Sequence, residues 1–402
     1  MELLSPAGSI EKLKYAWLYG ADAAYIGLQG FSLRAKADNF ANQQAEAQKE
    51  ADFIRSIKGD KKLYCALNIY FHNQDLARLE ENLDNFAAYP FDAFIISDIG
   101  LLPLLKRRFP NTELHLSTQA NATNGEAVKL YGDMGFSRVI LGREVSLSEI
   151  ETMKKAAPHI ELEAFVHGAM CLAYSGRCFL SSWMTGRSGN DGSCAHSCRW
   201  DYRVLEEEQR PGEYYPVIEN EGFTTIMSSK DICMIDHLKE LRDAGVDSVK
   251  IEGRMKSIYY AAVVTRAYRK ALDRLEGAEV PDFDGYREEL NKVSHREFST
   301  GFYFGKEDVE KSTEISYERE YTFMGSLGEE VEPGVFALDI KNKIRKDDVL
   351  EFIGPDELYL EDRDWTIYDV FGEVPEEADH GKIYTMRPGI KASEGYIIRK
   401  KK

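Results

Sequence analysis

The chain has 402 residues, of which 43% are hydrophobic and 11% aromatic. This composition can build a substantial core and excludes an intrinsically disordered protein, and the length predicts one large and one small domain. With 51 Lys and Arg against 68 Asp and Glu, the net charge is −17. The molecule as a whole therefore repels polyanions, and binding to nucleic acid would require a local basic surface.

The first residues, Met1 to Pro6, lack the positive and apolar segments of a secretion signal. The chain also has no uninterrupted apolar run of about 18 residues, the length that indicates a membrane-spanning helix. We therefore expect a cytoplasmic protein without a membrane partner.

Short β-rich apolar runs alternate with segments of helical period through the first two thirds of the chain, which is typical of βα units around a parallel sheet. Eight such runs occur, at 3–4, 23–27, 62–68, 93–96, 114–116, 138–141, 162–166 and 248–251. Helices are predicted at 9–19, 74–88, 126–134, 146–157 and 231–244, with Ser9 and Ser146 as N-caps. We predict an α/β fold with a TIM-type (β/α)8 barrel; a doubly wound sheet is the alternative.

Polar residues follow six of the predicted strands. They are Asn68, Ser97-Asp98, Ser117-Thr118-Gln119, Gly142-Arg143-Glu144, His167-Gly168 and Glu252-Gly253-Arg254. Any one of them could simply form a turn. As a set, however, they indicate an active site, because barrel enzymes carry their chemistry at the carboxyl ends of the strands.

Residues 277–320 are polar and have no strong period, and five short strands are predicted beyond them, at 321–325, 334–340, 348–352, 365–370 and 382–386. The pattern favours a small antiparallel β-barrel. We therefore predict a TIM-barrel-like catalytic domain over 1–310, with a cysteine-rich insertion at about 168–230, and a C-terminal β-barrel domain over 321–402. The terminal run 399–402 is basic and could contact phosphates, although such tails are usually solvated.

Four of the six cysteines lie between Cys171 and Cys198. Together with Cys233 they supply five thiols for four ligand positions, and clustered thiols in a chain without a secretion signal more often bind metal than form disulfides. The spacing favours an iron-sulfur cluster over zinc, because only Cys194 and Cys198 approach the paired pattern of structural zinc sites. Buried or reactive thiols are the remaining interpretation.

Residues 163–182 contain Glu-x-Phe-x-His-Gly-Ala-x-Cys and Ser-Gly-Arg-Cys-x-x-Ser. They resemble the signature of the collagenase-like peptidase family of unknown catalytic type. Three further motifs, at 194–202, 227–231 and 250–260, resemble the branch of that family that hydroxylates the wobble uridine of tRNA to 5-hydroxyuridine. The resemblance covers most of the chain. Other members of the family hydroxylate a ribosomal RNA cytidine or a ubiquinone precursor, and these reactions are alternatives.

This resemblance implies a [4Fe-4S] cluster, prephenate as co-substrate and the tRNA anticodon loop as partner. The family's ligand pattern falls on Cys171, Cys178, Cys194 and Cys233, although Cys194 and Cys198 could exchange roles. Hydroxylation of a uridine carbon needs a cofactor and an oxygen donor, because no side chain can do this chemistry unaided.

Candidate residues follow from that chemistry. The two carboxylates of prephenate call for arginine, and we expect Arg143, Arg177 and Arg254 to bind them. Arg177 could instead stabilise the cluster thiolates. His167 is a candidate to move a proton or to bind a carboxylate, with Glu163 as a weaker partner on the same strand face.

For RNA, the helix after residue 252 mixes cations with tyrosines at 259, 260 and 268. The predicted RNA-binding cations are Arg254, Lys256, Arg266, Arg269 and Lys270, and a solvated helix face is the alternative. A peptidase is disfavoured, because the chain contains neither a His-Glu-x-x-His motif nor a Gly-x-Ser-x-Gly motif.

Overall fold

The first 169 residues alternate strands with helices. A computed structural model describes residues 1–33, 39–41, 44–171, 173–175, 178, 180–190, 192–199, 218–220, 223–225, 229–305 and 320–402. The first elements are β1 (Glu2–Pro6), α1 (Ile10–Leu18), β2 (Ala23–Gly27), α2 (Gln44–Lys58), β3 (Lys62–Leu67), α3 (Asn73–Ala88), β4 (Ala93–Ile96), α4 (Leu102–Arg108), β5 (Glu113–Leu116), α5 (Gly125–Met134), β6 (Arg138–Ile140), α6 (Leu147–Ala156) and β7 (Glu161–Ala169).

The chain after β7 completes the barrel and adds helices to its outer wall. The elements are α7 (Leu180–Thr185), β8 (Ile218–Asn220), β9 (Phe223–Thr225), β10 (Asp231–Cys233), α8 (Leu238–Asp243), β11 (Ser248–Ile251), α9 (Ile258–Leu275), α10 (Phe283–Lys292) and β12 (Phe298–Ser299). Within the described residues, no helix combines the length and hydrophobicity needed to cross a bilayer.

Eight parallel strands form a closed barrel in the order β11-β1-β2-β3-β4-β5-β6-β7, and β11 pairs with β7 to close it. All eight come from the predicted apolar runs, so the predicted (β/α)8 barrel is confirmed. The N-caps are also confirmed: the Ser9 side chain accepts from the Lys12 amide, and Ser146 forms a capping box with Glu149.

One prediction between 231 and 320 was wrong, and one helix in this region was not predicted. The predicted helix at 231–244 begins only at Leu238, because Asp231–Cys233 forms β10, which pairs antiparallel with β7 and parallel with β12. The stretch judged to have no period contains helix α10, whose N-cap Asp282 accepts a hydrogen bond from the Gly285 amide. Tertiary pairing overrode helical propensity in the first case. In the second case the Asp N-cap was a usable signal.

The C-terminal part is a second, all-β unit. Its strands are β13 (Tyr321–Glu332), β14 (Val335–Ile340), β15 (Ile344–Arg345), β16 (Leu350–Ile353), β17 (Leu360–Asp362), β18 (Thr366–Tyr368), β19 (Glu377–Ala378), β20 (Tyr384–Arg387) and β21 (Ile397–Lys401). Seven of them form a curled antiparallel sheet in the order β17-β16-β21-β13-β14-β20-β18, over its own apolar core. The predicted small antiparallel domain is confirmed. Its predicted boundary, between 310 and 321, falls largely outside the described residues.

The basic tail is part of this sheet. Strand β21 pairs with both β13 and β16, and Arg399 within it is fully buried. Its guanidinium donates to both carboxylate oxygens of Glu289 on α10, at 2.6 and 2.9 Å, and to Glu351 at 2.7 Å. Arg399 therefore joins the barrel helices to the C-terminal sheet and is withdrawn from any contact with phosphate.

The carboxylate of Glu289 is held in its charged form by this contact. Burial acts to raise its pKa, but the hydrogen bonds and charge of Arg399 outweigh burial and hold the pKa below 4.5. The pair therefore stabilises the fold above about pH 4.5, and this contribution is lost as the pH falls through the folded-state pKa.

We expect Arg399→Met to lower the free energy of unfolding by about 3–5 kcal/mol at pH 7, because it leaves a buried carboxylate without its main partner. Urea denaturation at pH 7 and at pH 4 measures the effect, and the difference from wild type should be smaller at pH 4. Lys401→Met, at an exposed position of the same strand, is the matched control. Equal losses in both variants would contradict a specific role for the buried pair.

Candidate functional site

A cavity of about 840 Å³ opens at the carboxyl ends of the barrel strands. Residues that follow four different strands line it: Gln119 after β5, Arg143 after β6, Cys171 after β7 and Glu252 after β11. Tyr321, Asn342 and Lys402 of the C-terminal sheet complete the wall. The cavity lies where barrel enzymes carry their active sites, as the polar strand ends predicted.

Not all of the polar strand ends reach this cavity. Asn68 accepts a hydrogen bond from the Leu33 amide at 3.2 Å, and Asp98 accepts one from the Gly100 amide at 2.9 Å. At these two positions the polar side chain stabilises a loop, which is the turn-forming alternative considered from the sequence.

Four thiols line the cavity together: Cys171, Cys178, Cys194 and Cys198. Cys171 is exposed and the others are half-buried. The Cys194 sulfur accepts a hydrogen bond from the His196 amide at 3.4 Å. Among the described side chains, no three from His, Cys, Asp and Glu already stand at metal-binding distance. The thiols therefore share a wall, and their donor chemistry is suited to soft metals or iron-sulfur clusters.

Cys233 has a different environment from these four thiols. It lies on β10 directly opposite His167 of β7, and its sulfur is 3.8 Å from the hydroxyl of Tyr268 on α9. Burial raises the pKa of the Cys233 thiol to about 11. Of the predicted ligands, Cys171, Cys178 and Cys194 line the cavity and Cys233 is not among the lining residues, whereas Cys198, which was not a predicted ligand, lines it as well.

The strand that carries Cys233 is held by a buried ion pair. The guanidinium of Arg296 donates to Asp231 at 2.6 and 3.0 Å, and the Arg296 amide donates to the same carboxylate at 3.2 Å. Both side chains are almost completely buried. This pair was not predicted from the sequence, since its partners are 65 residues apart. The only local signal was the Lys-Asp at 230–231 in a family-like motif.

His167 is buried outside the barrel interior. Its ring contacts Tyr260 and Tyr268 of α9 and Phe298 of β12. The Nδ1 atom is 3.4 Å from the Tyr268 hydroxyl, and in the described structure the Nε2 atom has no hydrogen-bond partner. Burial lowers its pKa to about 3, so the imidazole is neutral at pH 7.

Glu163 was predicted to share a strand face with His167, and that prediction was wrong. Pairing between β7 and β11 shifts register after Lys250, so that His167 lies opposite Ile251 and its side chain turns outward. Glu163 instead lies inside the barrel, where it accepts from Lys250 at 2.7 Å and from Arg138 at 3.1 Å. These charges come from three strands and stabilise one another in the closed interior, away from the cavity.

Arg143 is the predicted anion-binding arginine that the structure places in the cavity. Its Nη2 atom is 3.3 Å from the Glu252 carboxylate, and its guanidinium lies 4.0 Å above the Phe165 ring. The Nε atom is buried and has no hydrogen-bond partner in the described structure. Arg143 is therefore oriented by two contacts and keeps a free donor.

Arg254, the second predicted arginine, is not among the residues that line the cavity. Arg254 is buried and lies 5.8 Å from the Tyr25 ring, and the residues on either side of it line the cavity in its place. Arg177 lies outside the described residues, so its predicted roles toward prephenate and the thiols stay predictions.

The predicted RNA-binding helix face is mostly covered by protein. Arg266 is buried and donates to the Gly354 carbonyl of the C-terminal sheet at 2.7 Å. Arg269 pairs with Asp273 and Asp22, and Lys270 pairs with Asp356 at 2.9 Å. The three tyrosines are also buried. These cations hold α9 between the barrel and the C-terminal sheet, so this face is not an exposed RNA surface.

Lys256 is the member of the predicted set that lines the cavity. Its ammonium donates to the Ser294 carbonyl at 2.9 Å and lies 5.2 Å from the Tyr260 ring. Two other residues at the rim, Tyr174 and Met255, were not predicted from the sequence; they expose 68% and 48% of their surfaces. No periodicity marks a residue in an irregular loop, so only their proximity to the cysteine and strand-end motifs could have indicated them.

Both parts of the chain are similar to known proteins. Residues 8–313 match Peptidase family U32, and residues 319–399 match the peptidase family U32 C-terminal domain. The chain is 38% identical to "tRNA hydroxylation protein P" of Escherichia coli over 88% of this chain and 86% of the relative. It is 36% identical to the Escherichia coli "23S rRNA 5-hydroxycytidine C2501 synthase", over 68% of this chain but 40% of the relative.

A third relative has a different name. "Collagenase" of Porphyromonas gingivalis is 32% identical over 76% of this chain and 74% of that protein. The family resemblance inferred from residues 163–182 is confirmed by these matches. Because the two family matches together span nearly the whole sequence, the chain belongs to peptidase family U32.

Proposed function

We propose that this protein is an RNA-hydroxylating enzyme that acts on tRNA, and that it converts the wobble uridine to 5-hydroxyuridine with prephenate as co-substrate and a [4Fe-4S] cluster as cofactor. The observation that carries the proposal is the cavity itself, in which four thiols, an oriented arginine and exposed apolar side chains meet at the barrel mouth. The Escherichia coli relative that is named for tRNA hydroxylation matches 88% of this chain, and so extends over both of its parts.

The cluster would be held by Cys171, Cys178 and Cys194 from the cavity wall and by Cys233 from β10. The donor set fits, because four thiolates are the usual protein ligands of a [4Fe-4S] cluster. Its chemistry would be electron transfer, which protein side chains cannot supply. Cys198 is the alternative fourth ligand, since it already lines the cavity.

Arg143 would bind a carboxylate of prephenate. Its contacts with Glu252 and Phe165 fix the plane of the guanidinium before the ligand arrives, which reduces the conformational entropy lost on binding. The Lys256 ammonium, at the same cavity, would attract a phosphate of the RNA. An anticodon loop presents unpaired bases, so the target needs little unpairing to reach the cavity.

Peptide hydrolysis is a second candidate function, favoured by one specific observation. His196 lines the same cavity as the four thiols, and a thiol with an imidazole nearby is what a cysteine peptidase requires. One relative is also named as a collagenase. Hydroxylation of ribosomal RNA or of a ubiquinone-type molecule would use the same cavity, and the measurements below distinguish these substrates.

Modified nucleosides give the most direct test. We expect 5-hydroxyuridine and its derivatives to disappear from total tRNA in cells that lack the gene or carry Cys171→Ala, because the variant loses a thiol of the cavity. Mass spectrometry of digested tRNA measures this. Cys65→Ala, which removes a fully buried thiol of β3, should retain the modification. Unchanged tRNA in the deletion strain would reject the tRNA proposal and direct attention to ribosomal RNA, quinone precursors and peptides.

Thiol alkylation and iron analysis test the ligand set. In metal-free protein, iodoacetamide should modify exposed Cys171 fastest, and it should modify Cys233 more slowly because burial raises its thiol pKa to about 11. In protein isolated with its iron, alkylation should be prevented at the four proposed ligands, Cys171, Cys178, Cys194 and Cys233. Peptide mass spectrometry reads each site.

The matched pair for this experiment is Cys198→Ala and Cys233→Ala. Iron retained in the first variant and lost in the second supports the proposed ligands. The reverse result would assign the fourth position to Cys198, and reactive thiols throughout the iron-loaded sample would reject the cluster.

The predicted role of Arg143 is tested by Arg143→Lys. The variant keeps the charge but loses the planar pair of donors, so we expect the KM for prephenate to rise about 10-fold or more, with iron content unchanged. Steady-state hydroxylation of tRNA at varied prephenate measures it, and Arg363→Lys, at an exposed site of the C-terminal sheet, is the control. An unchanged KM in Arg143→Lys would remove this residue from the prephenate site.

A further inference from the structure

Tyr174 and Met255 are two large side chains that the protein leaves in contact with water at the rim of the cavity. They expose 68% and 48% of their surfaces, and both line the same cavity. Single exposed apolar residues are ordinary on protein surfaces. Two of them around one polar, thiol-lined opening are typical of a binding site for a flat or apolar group.

The backbone beneath Tyr174 is firmly held. The amide and hydroxyl of the next residue, Ser175, both donate to the carboxylate of Glu144, which follows β6. The Arg143 amide donates in turn to the Ser175 hydroxyl at 3.4 Å. Ser175 itself is only 4% exposed. The exposed ring of Tyr174 is therefore next to a residue that is fixed by hydrogen bonds. Little backbone freedom would be lost when a ligand packs against this ring.

The cations that line the same cavity indicate what kind of flat group the Tyr174 ring receives. Arg143, Lys256 and Lys402 line the same cavity, although the whole chain carries a net charge of −17. An aromatic surface beside cations matches a nucleotide of single-stranded RNA, whose base stacks while its phosphate meets the positive charge. A thioether such as that of Met255 adapts its shape to an aromatic surface.

We propose that Tyr174 is the platform on which an unpaired RNA base stacks as it enters the cavity, with Met255 packing against the same nucleotide. This inference rests on the proposed function, since it assumes an RNA substrate, and it assigns base recognition to a residue outside the thiol set. The side chain acts through its ring, so the hydroxyl of Tyr174 is not required.

Fluorescence of a labelled RNA tests the inference. The probe is an anticodon stem-loop with 2-aminopurine at the wobble position, titrated with iron-loaded protein, because stacking on an aromatic ring quenches this base. We expect wild type and Tyr174→Phe to quench it equally. Tyr174→Leu should abolish the quenching and weaken binding about 5- to 150-fold, the range for loss of one stacked base.

A matched control and two further readouts separate stacking from folding. Phe53→Leu replaces an aromatic side chain that is 40% exposed on α2, and it should leave quenching and affinity unchanged. In all variants the iron content should equal that of wild type. For hydroxylation of the unlabelled stem-loop, Tyr174→Leu should raise the KM for RNA more than it lowers kcat.

The failure of this inference is distinguishable from failure of the proposed function. If wild type binds and hydroxylates the stem-loop but Tyr174→Leu quenches and binds equally well, the stacking role is overturned and the proposed function stands. If wild type neither binds nor hydroxylates RNA, both are overturned. Loss of peptide cleavage in Tyr174→Leu, without any RNA binding by wild type, would assign the rim to a peptide and also overturn the inference.

Discussion

The pairing of β11 with β7 is the constraint on which the rest of the site depends. It closes the barrel and brings Glu252, at the end of one strand, to within 3.3 Å of Arg143 at the end of another. Its register shift after Lys250 also turns His167 away from the interior, while Glu163 remains inside. A single register shift between β7 and β11 thus directs two side chains of one strand to opposite sides of the barrel wall. Glu163 faces the ionic interior, and His167 faces the aromatic side chains outside it.

The position of a cation along the sequence does not show whether it is exposed in this protein, because several cations are buried by contacts with other elements. Several cations that read as a basic surface are enclosed, because each meets a carboxylate or carbonyl of another element: Arg399 meets Glu289, and Arg266 meets the Gly354 carbonyl. These contacts attach the C-terminal sheet to the barrel. The attachment matters for the cavity, since Tyr321 and Lys402 of that sheet form part of its wall. The small domain therefore contributes residues to the site.

The barrel and the clustering of thiols at one cavity could be predicted for a simple physical reason. Buried parallel strands must be apolar and must recur with helices between them, and four cysteines within 28 residues are close along the chain, so both features are visible in the local sequence. Prediction was weaker where partners are distant along the chain: pairing with β7 and β12 made residues 231–233 a strand in spite of a helical pattern, and the ion pair between Asp231 and Arg296 joins residues 65 positions apart. Position within a loop, as at Tyr174, left no pattern at all.

The sequence by itself determined the class of fold, the number of barrel strands, the small β domain and the cysteines available as ligands, because each depends on residue type and on spacing along the chain. Only the tertiary structure decided which of those residues meet. It placed Arg143 at the cavity and buried Arg254, and it separated Cys233 from the thiols of the wall. Orientation, burial and distance between strands arise from register and closure, and these properties belong to the assembled sheet and not to any segment of it.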